Sequence, residues 1–283
     1  MKKVFFLLVI FLTAQLTAQV TPRQEELKRF FNTKTLIVLE NNPLNEYNYV
    51  IKEVLEKEWT VTDYEFINFN EFDEKRKDPQ YSFLYMDIVS FENDKTDAQY
   101  KFLFVSLGGD YFRRNQMPDI VSVPISYANV DEESYIYKLG LLVRFMHNHI
   151  KLLKEQPDLV DDQLFKYYNN NMGDVKSKTV YLMEHELSKD INSVKRVKSY
   201  YPYPIRIVTK EEIAEAIEKR DDNVVFLHKV GPEGTKLNAR CYKILMGANN
   251  ANLYYFDFHK ISGKNPDGML STDLKKMAKS KGN

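Results

Sequence analysis

The sequence contains very little cysteine, no excess of either charge and no long apolar run beyond its N-terminus. Cys241 is the only cysteine among 283 residues, so no internal disulfide supports the fold. Forty basic side chains balance forty acidic ones, which argues against a nucleic-acid-binding surface and identifies no partner by charge. A membrane-spanning helix needs ~20 apolar residues, and no later run reaches that length.

The N-terminal residues have the pattern of a secretory signal peptide. Lys2 and Lys3 precede the apolar run Val4–Leu12, and the small and polar segment Thr13–Gln19 follows. The apolar run is too short to cross a bilayer. The alternative to a signal peptide is a buried N-terminal helix. No cysteine lies at the cleavage region, which argues against a lipid anchor. We therefore expect residues 1–19 to be removed and the mature chain to be a soluble protein of the periplasm.

Two parts of the sequence begin alike and continue with the same order of predicted elements. KTLIVLE begins at Lys34 and KTVYLME at Lys178, and each predicts a buried strand. The Tyr-Lys pair of a later predicted strand follows after 66 residues in the first part, at Tyr100, and after 64 in the second, at Tyr242. This agreement predicts a tandem duplication. The alternative is a single larger α/β sheet, whose buried strands would also look alike.

The duplication predicts the fold class and the domain boundaries. We expect an α/β (α+β) protein of two tandem similar domains, each a mixed sheet of about four to five strands with two to three helices. The first domain takes residues 20–155, a helical linker takes 156–177, and the second domain takes 178–283. Within the linker, the segment NNNMG predicts a loop. In the second domain, Thr209 and Glu212 form the sequence pattern of a capping box that begins a helix.

The order of elements resembles the N-terminal domain of TolB and the CsgG-like domains of envelope proteins, in two copies. The resemblance rests on the strand TLIVLEN with the helix EVLEK, on the strand and capped helix IRIVTKEEIAEAI, and on the two predicted hairpins. It covers roughly residues 34–154 and 178–281 and contains no residue motif. It implies a protein that acts by binding other proteins. The abundance of Asn, Lys and Tyr is likewise similar to envelope proteins of Bacteroidetes.

The histidines form no recognisable metal or catalytic motif. His147 and His149, in MHNHI, project to different faces of a helix, whereas helical metal pairs need a spacing of three or four. We interpret both as packing residues. HELSK begins like the zinc-protease motif, but Lys189 replaces its second histidine. His228 and His259 lie on predicted strands and are interpreted as edge or surface histidines. No Ser-hydrolase elbow or phosphate-binding glycine loop occurs, so we predict no catalytic residue, cofactor or metal.

The nineteen tyrosines suggest a docking surface. Tyr200, Tyr201 and Tyr203 alternate with Pro202 and Pro204 in a turn that we expect to be rigid and exposed, and tyrosine is common at interfaces. On this hypothesis the three tyrosines bind a partner, and alanine at Tyr201 or Tyr203 leaves the folding midpoint nearly unchanged. The alternative is that they are core aromatics in a tyrosine-rich chain.

The functional hypothesis is an exported periplasmic protein that acts as a non-enzymatic binding or assembly component of the cell envelope, with envelope proteins as partners. One alternative is a periplasmic enzyme or small-ligand binder with its site in the cleft between the domains. Another is a module that binds peptides by strand addition. A site in the cleft would bring together buried polar groups with shifted pKa values, whereas a docking protein would expose an apolar, tyrosine-rich patch.

Overall fold

The chain forms two five-stranded mixed sheets, each covered by helices. This confirms the predicted α/β fold of two similar units. The predicted signal peptide, residues 1–19, lies outside the described residues. The computed structural model describes residues 21–91, 94, 96–160, 164–232 and 237–282.

The first repeat forms the first sheet. Its strands are β1 (Lys34–Leu39), β2 (Tyr64–Asn68), β3 (Tyr81–Ser90), β4 (Gln99–Leu107) and β5 (Asp119–Tyr127). Its helices are α1 (Gln24–Phe30), α2 (Glu46–Glu58), α3 (Phe69–Lys75) and α4 (Ile136–Glu155). The strand order is β2-β1-β3-β4-β5, in which β1 is parallel to both of its neighbours and the other pairs are antiparallel.

The second repeat forms the second sheet with the same topology. Its strands are β6 (Thr179–Leu182), β7 (Ile205–Ile207), β8 (Val224–Val230), β9 (Arg240–Gly247) and β10 (Leu253–Lys260). Its helices are α5 (Leu164–Asn169), α6 (Val194–Lys198), α7 (Lys210–Glu218) and α8 (Ser271–Lys279). The order β7-β6-β8-β9-β10, with β6 parallel to both neighbours, reproduces the first sheet strand for strand. The shared topology supports a tandem duplication.

The same capping device begins the helix after the second strand of each repeat. At α7, the Thr209 hydroxyl accepts the Glu212 N–H at 3.3 Å, and the Glu212 carboxylate accepts the Thr209 N–H at 2.9 Å. At α3, Asn68 and Glu71 make the reciprocal pair at 3.1 and 3.0 Å. Each box satisfies two N–H groups that would otherwise lack partners at a helix end. The predicted box at Thr209 is therefore confirmed.

Helix α4 lies between the two repeats and is buried along most of its circumference. Twelve of its twenty residues are buried. It packs against α2 and β5 of the first repeat and against α7 of the second. Its apolar side chains belong to one hydrophobic core with Val224, Phe226, Ile244 and Met246 of the second sheet. The repeats are therefore separate in topology but share a core.

The described residues of the segment 156–177 are mainly helical and pack on the second sheet. The side-chain amide of Asn169, at the end of α5, donates to the Phe256 carbonyl at 3.0 Å and accepts the Phe256 N–H at 2.7 Å. The loop predicted at NNNMG is wrong, since a 3-10 helix spans Asn170–Ser177. The reason is tertiary: a Cβ on Gly173 would lie 1.9 Å from the Lys281 carbonyl oxygen, so the C-terminal tail passes directly over this segment.

Residues 188–198 form a helix only in their second half. Ser193 caps its start by accepting the Arg196 N–H, and α6 begins at the next residue. Upstream, the Ser188 N–H donates to the Met269 carbonyl at 3.0 Å. That pairing holds the preceding residues to another part of the chain and prevents helix formation there.

A cavity between the two sheets

A mainly apolar cavity of about 250 Å³ lies where the two repeats meet. Residues of β5 and α4 form one side, and residues of β9, β10 and α5 form the other. This place corresponds to the interdomain cleft that the sequence offered as an alternative site. The lining includes apolar Phe102, Phe145, Leu153, Val160 and Phe256 and polar Asp119, His149 and Arg240.

Arg240 places a positive charge in the cavity wall. Its Nε and Nη2 donate to the Asp94 carboxylate at 2.5 and 3.2 Å. Its guanidinium lies 3.6 Å from the ring centroid of Phe91 and 5.0 Å from that of Phe258, which are cation–π distances. Lys260 also pairs with Asp94, at 3.0 Å, so two cations share one carboxylate. Counted over the described residues, the cluster therefore carries a surplus positive charge beside an apolar space.

Neighbouring groups hold Arg240 and Asp94 in this arrangement. Burial raises the pKa of Asp94, but hydrogen bonds from Arg240 and Lys260 outweigh it and leave that pKa below its ordinary value. Tyr100 of β4 reaches across to β9, where its hydroxyl accepts the Arg240 N–H at 2.5 Å and lies 3.2 Å from the Arg240 carbonyl oxygen. The polar end of the cavity is thus preorganised by residues from both sheets.

Two titratable groups of the first repeat also line the cavity. Asp119 accepts a hydrogen bond from the Ser106 hydroxyl at 2.6 Å. Burial raises the pKa of Asp119 to about 7, against the lowering effect of that bond. His149 lies 2.9 Å from the Tyr168 hydroxyl, and burial lowers its pKa to about 4, so it is neutral at pH 7. Polar groups with shifted pKa values therefore line the cleft.

The raised pKa of Asp119 predicts a pH-dependent effect of Asp119→Asn. An unfolded chain releases this proton near pH 3.9, whereas the folded protein keeps it up to about pH 7. The contribution of Asp119 to the free energy of unfolding is therefore full below about pH 4 and is lost as the pH rises through 7. Asparagine does not titrate, so the free energy of unfolding of the variant should rise relative to that of the wild type by roughly 1–2 kcal/mol between pH 4 and pH 8. The partial exposure of Asp119 makes this difference smaller than its raised pKa alone would give.

Urea unfolding of both proteins at pH 4 and pH 8 measures this difference. Asp110→Asn, at an exposed aspartate, is the matched control. Equal pH dependence in wild type and Asp119→Asn would contradict the assignment.

The interpretation of His147 and His149 as packing residues is confirmed. They are 8% and 1% exposed, and their rings have different partners, His147 lying 2.9 Å from the Thr60 hydroxyl. The surface interpretation of His228 is wrong. This residue is fully buried, and its Nε2 lies 2.8 Å from the Pro124 carbonyl oxygen, which joins β8 to β5. Within the described ranges, no three or more His, Cys, Asp or Glu side chains are grouped to hold a metal.

The expectation that Tyr201 is exposed is wrong. Tyr201 is fully buried in the core of the second repeat, where its N–H donates to the Val197 carbonyl at 2.9 Å. Tyr200 and Tyr203 are half-buried, with the ammonium groups of Lys275 and Lys176 4.9 and 5.2 Å from their ring centroids. A partner-binding role for Tyr200 and Tyr203 stays a prediction.

The residues that define the cavity had no local signal in the sequence. Arg240 and Asp94 are 146 positions apart, and Asp119 begins an ordinary strand. Comparison with protein-family models, curated proteins and solved structures finds no match. The resemblance to TolB N-terminal and CsgG-like domains therefore stays a prediction. None of the helices in the described part of the chain is both long and apolar enough to span a bilayer.

Proposed function

We propose that the protein is a non-enzymatic binding component of the cell envelope that holds a small ligand in the cavity between its two sheets. The observation that carries this proposal is the mainly apolar cavity with Arg240 in its wall. Ligand sites are typically apolar spaces with a few placed polar groups, and they occur preferentially between domains. Binding is the role expected from the sequence, and in this proposal it takes place where the two repeats meet.

The size and charge of the cavity favour a small amphiphile with a negative end. A dry apolar cavity of about 150 Å³ holds benzene, so about 250 Å³ has room for a larger ring or a folded medium-length chain. Among the described residues of this cluster, Arg240 and Lys260 carry two positive charges against the single charge of Asp94. A carboxylate or sulfonate on an apolar body complements this arrangement, because the guanidinium is already oriented by Asp94 and Phe91.

Export and partner binding belong to the same proposal. The leader pattern of residues 1–19 supports a periplasmic location. The TolB-like and CsgG-like order of elements favours a role among other envelope proteins. In this proposal, half-buried Tyr200 and Tyr203 supply aromatic contact area for such a partner, away from the ligand cavity.

Filling the cavity should weaken ligand binding. Val160 lines it and is half-buried, so Val160→Phe places a ring in the space without removing any core atoms. We expect the affinity for anilinonaphthalene sulfonate, an apolar fluorophore with a sulfonate, to fall at least about tenfold, or about 1.4 kcal/mol. Val194→Phe, at a valine 41% exposed on α6, is the matched control and should bind like the wild type.

Competition between decanoate and decanol tests the charged end. Decanoate should displace the fluorophore more strongly than decanol from the wild type, and Arg240→Gln should remove this preference. Unchanged fluorophore binding in Val160→Phe would show that the probe binds elsewhere and would overturn the proposal.

A further inference from the structure

Four charged side chains are buried together beside the end of β8, and their charges act on one another. Lys138 of α4 and Glu186, shortly after β6, are 3% and 4% exposed. The side chains of Lys229, on β8, and Asp267, before α8, are 7% and 10% exposed and form an ion pair. The Glu186 carbonyl accepts the Met269 N–H at 2.8 Å, so the backbone holds the segment of Asp267 beside that of Glu186. These residues are separate from the lining of the cavity between the sheets.

Two carboxylate oxygens of this group, Glu186 Oε2 and Asp267 Oδ1, have no hydrogen-bond partner among the described residues. Asp267 Oδ1 lies against backbone, since a Cβ on Gly231 would be 2.8 Å from it. The nearby Cys241 thiol is a weak donor, and burial raises its pKa to about 12, so it stays neutral. A buried carboxylate oxygen without a donor is costly in its charged form, and a proton removes that cost. Burial raises the pKa of Glu186 to about 7, so this residue can take up or release a proton near neutral pH.

Lys243 and Asp273 form a buried pair of the ordinary kind. The Asp273 carboxylate accepts from the Lys243 ammonium with both oxygens, and the Tyr255 hydroxyl and a backbone N–H add two further donors. Hydrogen bonds to a carboxylate stabilise its charged form. In the other pair, the Lys229 ammonium contacts Oδ2 of Asp267 and leaves Oδ1 without a partner in the described part of the chain. Asp267 therefore receives fewer donors than Asp273.

An amine and a carboxylic acid that are held in contact away from water can condense to an amide. Proton transfer from the Lys229 ammonium to the Asp267 carboxylate removes two buried charges and leaves a neutral amine beside a neutral acid. The amine nitrogen attacks Cγ of Asp267, the Nζ–Cγ bond forms and one Cγ–O bond breaks. The released hydroxyl leaves as water with a proton from the nitrogen, and Glu186 is the acid–base group that can transfer this proton. The fold supplies the contact between the reacting groups, and no other reactant is consumed.

We propose that Lys229 and Asp267 join in an isopeptide bond once the chain has folded, with Glu186 as the proton carrier. The bond connects β8 to the segment before α8, across 38 positions of the chain. It turns the aspartate carboxyl into an amide and leaves no charge in the pair. A chain whose single cysteine cannot form an internal disulfide thereby gains a covalent cross-link. The bond is independent of ligand binding in the cavity.

Intact mass spectrometry of the folded, full mature chain tests this proposal. We expect a mass below that of the sequence by one water molecule. Trypsin should then fail to cut after Lys229 and should release residues 221–236 joined to residues 265–275, while it cuts normally after Lys243. The full mass of the sequence would overturn the proposal. Loss of water with the two peptides separate would also overturn it, since that result indicates a cyclic imide between Asp267 and Gly268.

Two variants test the assigned residues. Lys229→Arg removes the amine, and Glu186→Gln keeps both reacting groups but removes the proton carrier, so both should show the full mass of their sequence. Glu184→Gln, at an exposed glutamate of the same turn, is the matched control and should retain the cross-link. The midpoint of thermal unfolding shows that each variant is folded. A folded Glu186→Gln chain that contains the cross-link, or a folded Lys229→Arg chain that still loses water, would overturn the proposal.

Discussion

Replacing Asp273 by alanine is expected to destabilise the protein by about 3–5 kcal/mol. Asp273 and Lys243 form an ion pair whose side chains are each 2% exposed, and both carboxylate oxygens lie 2.8 Å from the Lys243 ammonium. The Tyr255 hydroxyl lies 2.7 Å from the same carboxylate, which also accepts the Leu270 N–H at 2.9 Å. The variant leaves an ammonium buried without its partner, and that desolvation penalty accounts for most of the expected loss.

Urea unfolding measures this loss, and two further variants identify its cause. Lys243→Met combined with Asp273→Leu removes both charges, so it should recover much of the stability. Glu215→Ala breaks an exposed pair with Lys219 and should cost below about 1 kcal/mol. If Asp273→Ala cost as little as the exposed variant, the buried pair would not contribute as described.

Tyr201→Ala is expected to cost about 3–5 kcal/mol, as truncation of other large core aromatics does. The ring is fully buried and packs against Tyr203 at a centroid distance of 5.0 Å. It belongs to the core formed by α6, α8 and the second sheet. Removing it leaves a cavity that a rigid proline-flanked turn cannot close.

The neighbouring tyrosines and a conservative variant make the test specific. The Tyr201 hydroxyl has no hydrogen-bond partner among the described residues, so Tyr201→Phe should be close to neutral. Tyr203→Ala, at a half-buried ring, should cost less than about half as much as Tyr201→Ala. The midpoint of thermal unfolding measures this cost. An unchanged midpoint in Tyr201→Ala would contradict the buried position of Tyr201 and support the exposed turn expected from the sequence.

The strands and their order along the chain could be predicted from the sequence because their signals are local. The runs YSFLYMDIVSF, YKFLFVSLGG and LYYFDFHKI, each typical of a strand, coincide with β3, β4 and β10 to within two residues. Runs of β-branched and aromatic residues bounded by polar turns are sufficient for this. The two similar units could be recognised because the predicted first strand of each begins with Lys-Thr.

The remaining features depend on contacts that no window of sequence contains. Asp273 lies 30 residues from Lys243, and both read as surface charges until the fold brings them together. Tyr201 alternates with half-buried tyrosines in one turn, so composition cannot distinguish the buried ring. Helix α4 has an apolar stripe that predicts one packed face, yet α7 of the second repeat also packs against this helix. The cavity exists only because the two repeats meet.

The pairing of Asn169 with β10 has a consequence for self-association. An outer strand with free N–H and carbonyl groups is a template on which a strand of another molecule adds. Here one side-chain amide occupies both backbone groups of Phe256 and so takes the place of a neighbouring strand. The segment that connects the repeats therefore also blocks the growth of this sheet from one molecule into the next. At this position β10 is thereby protected against polymerisation between molecules.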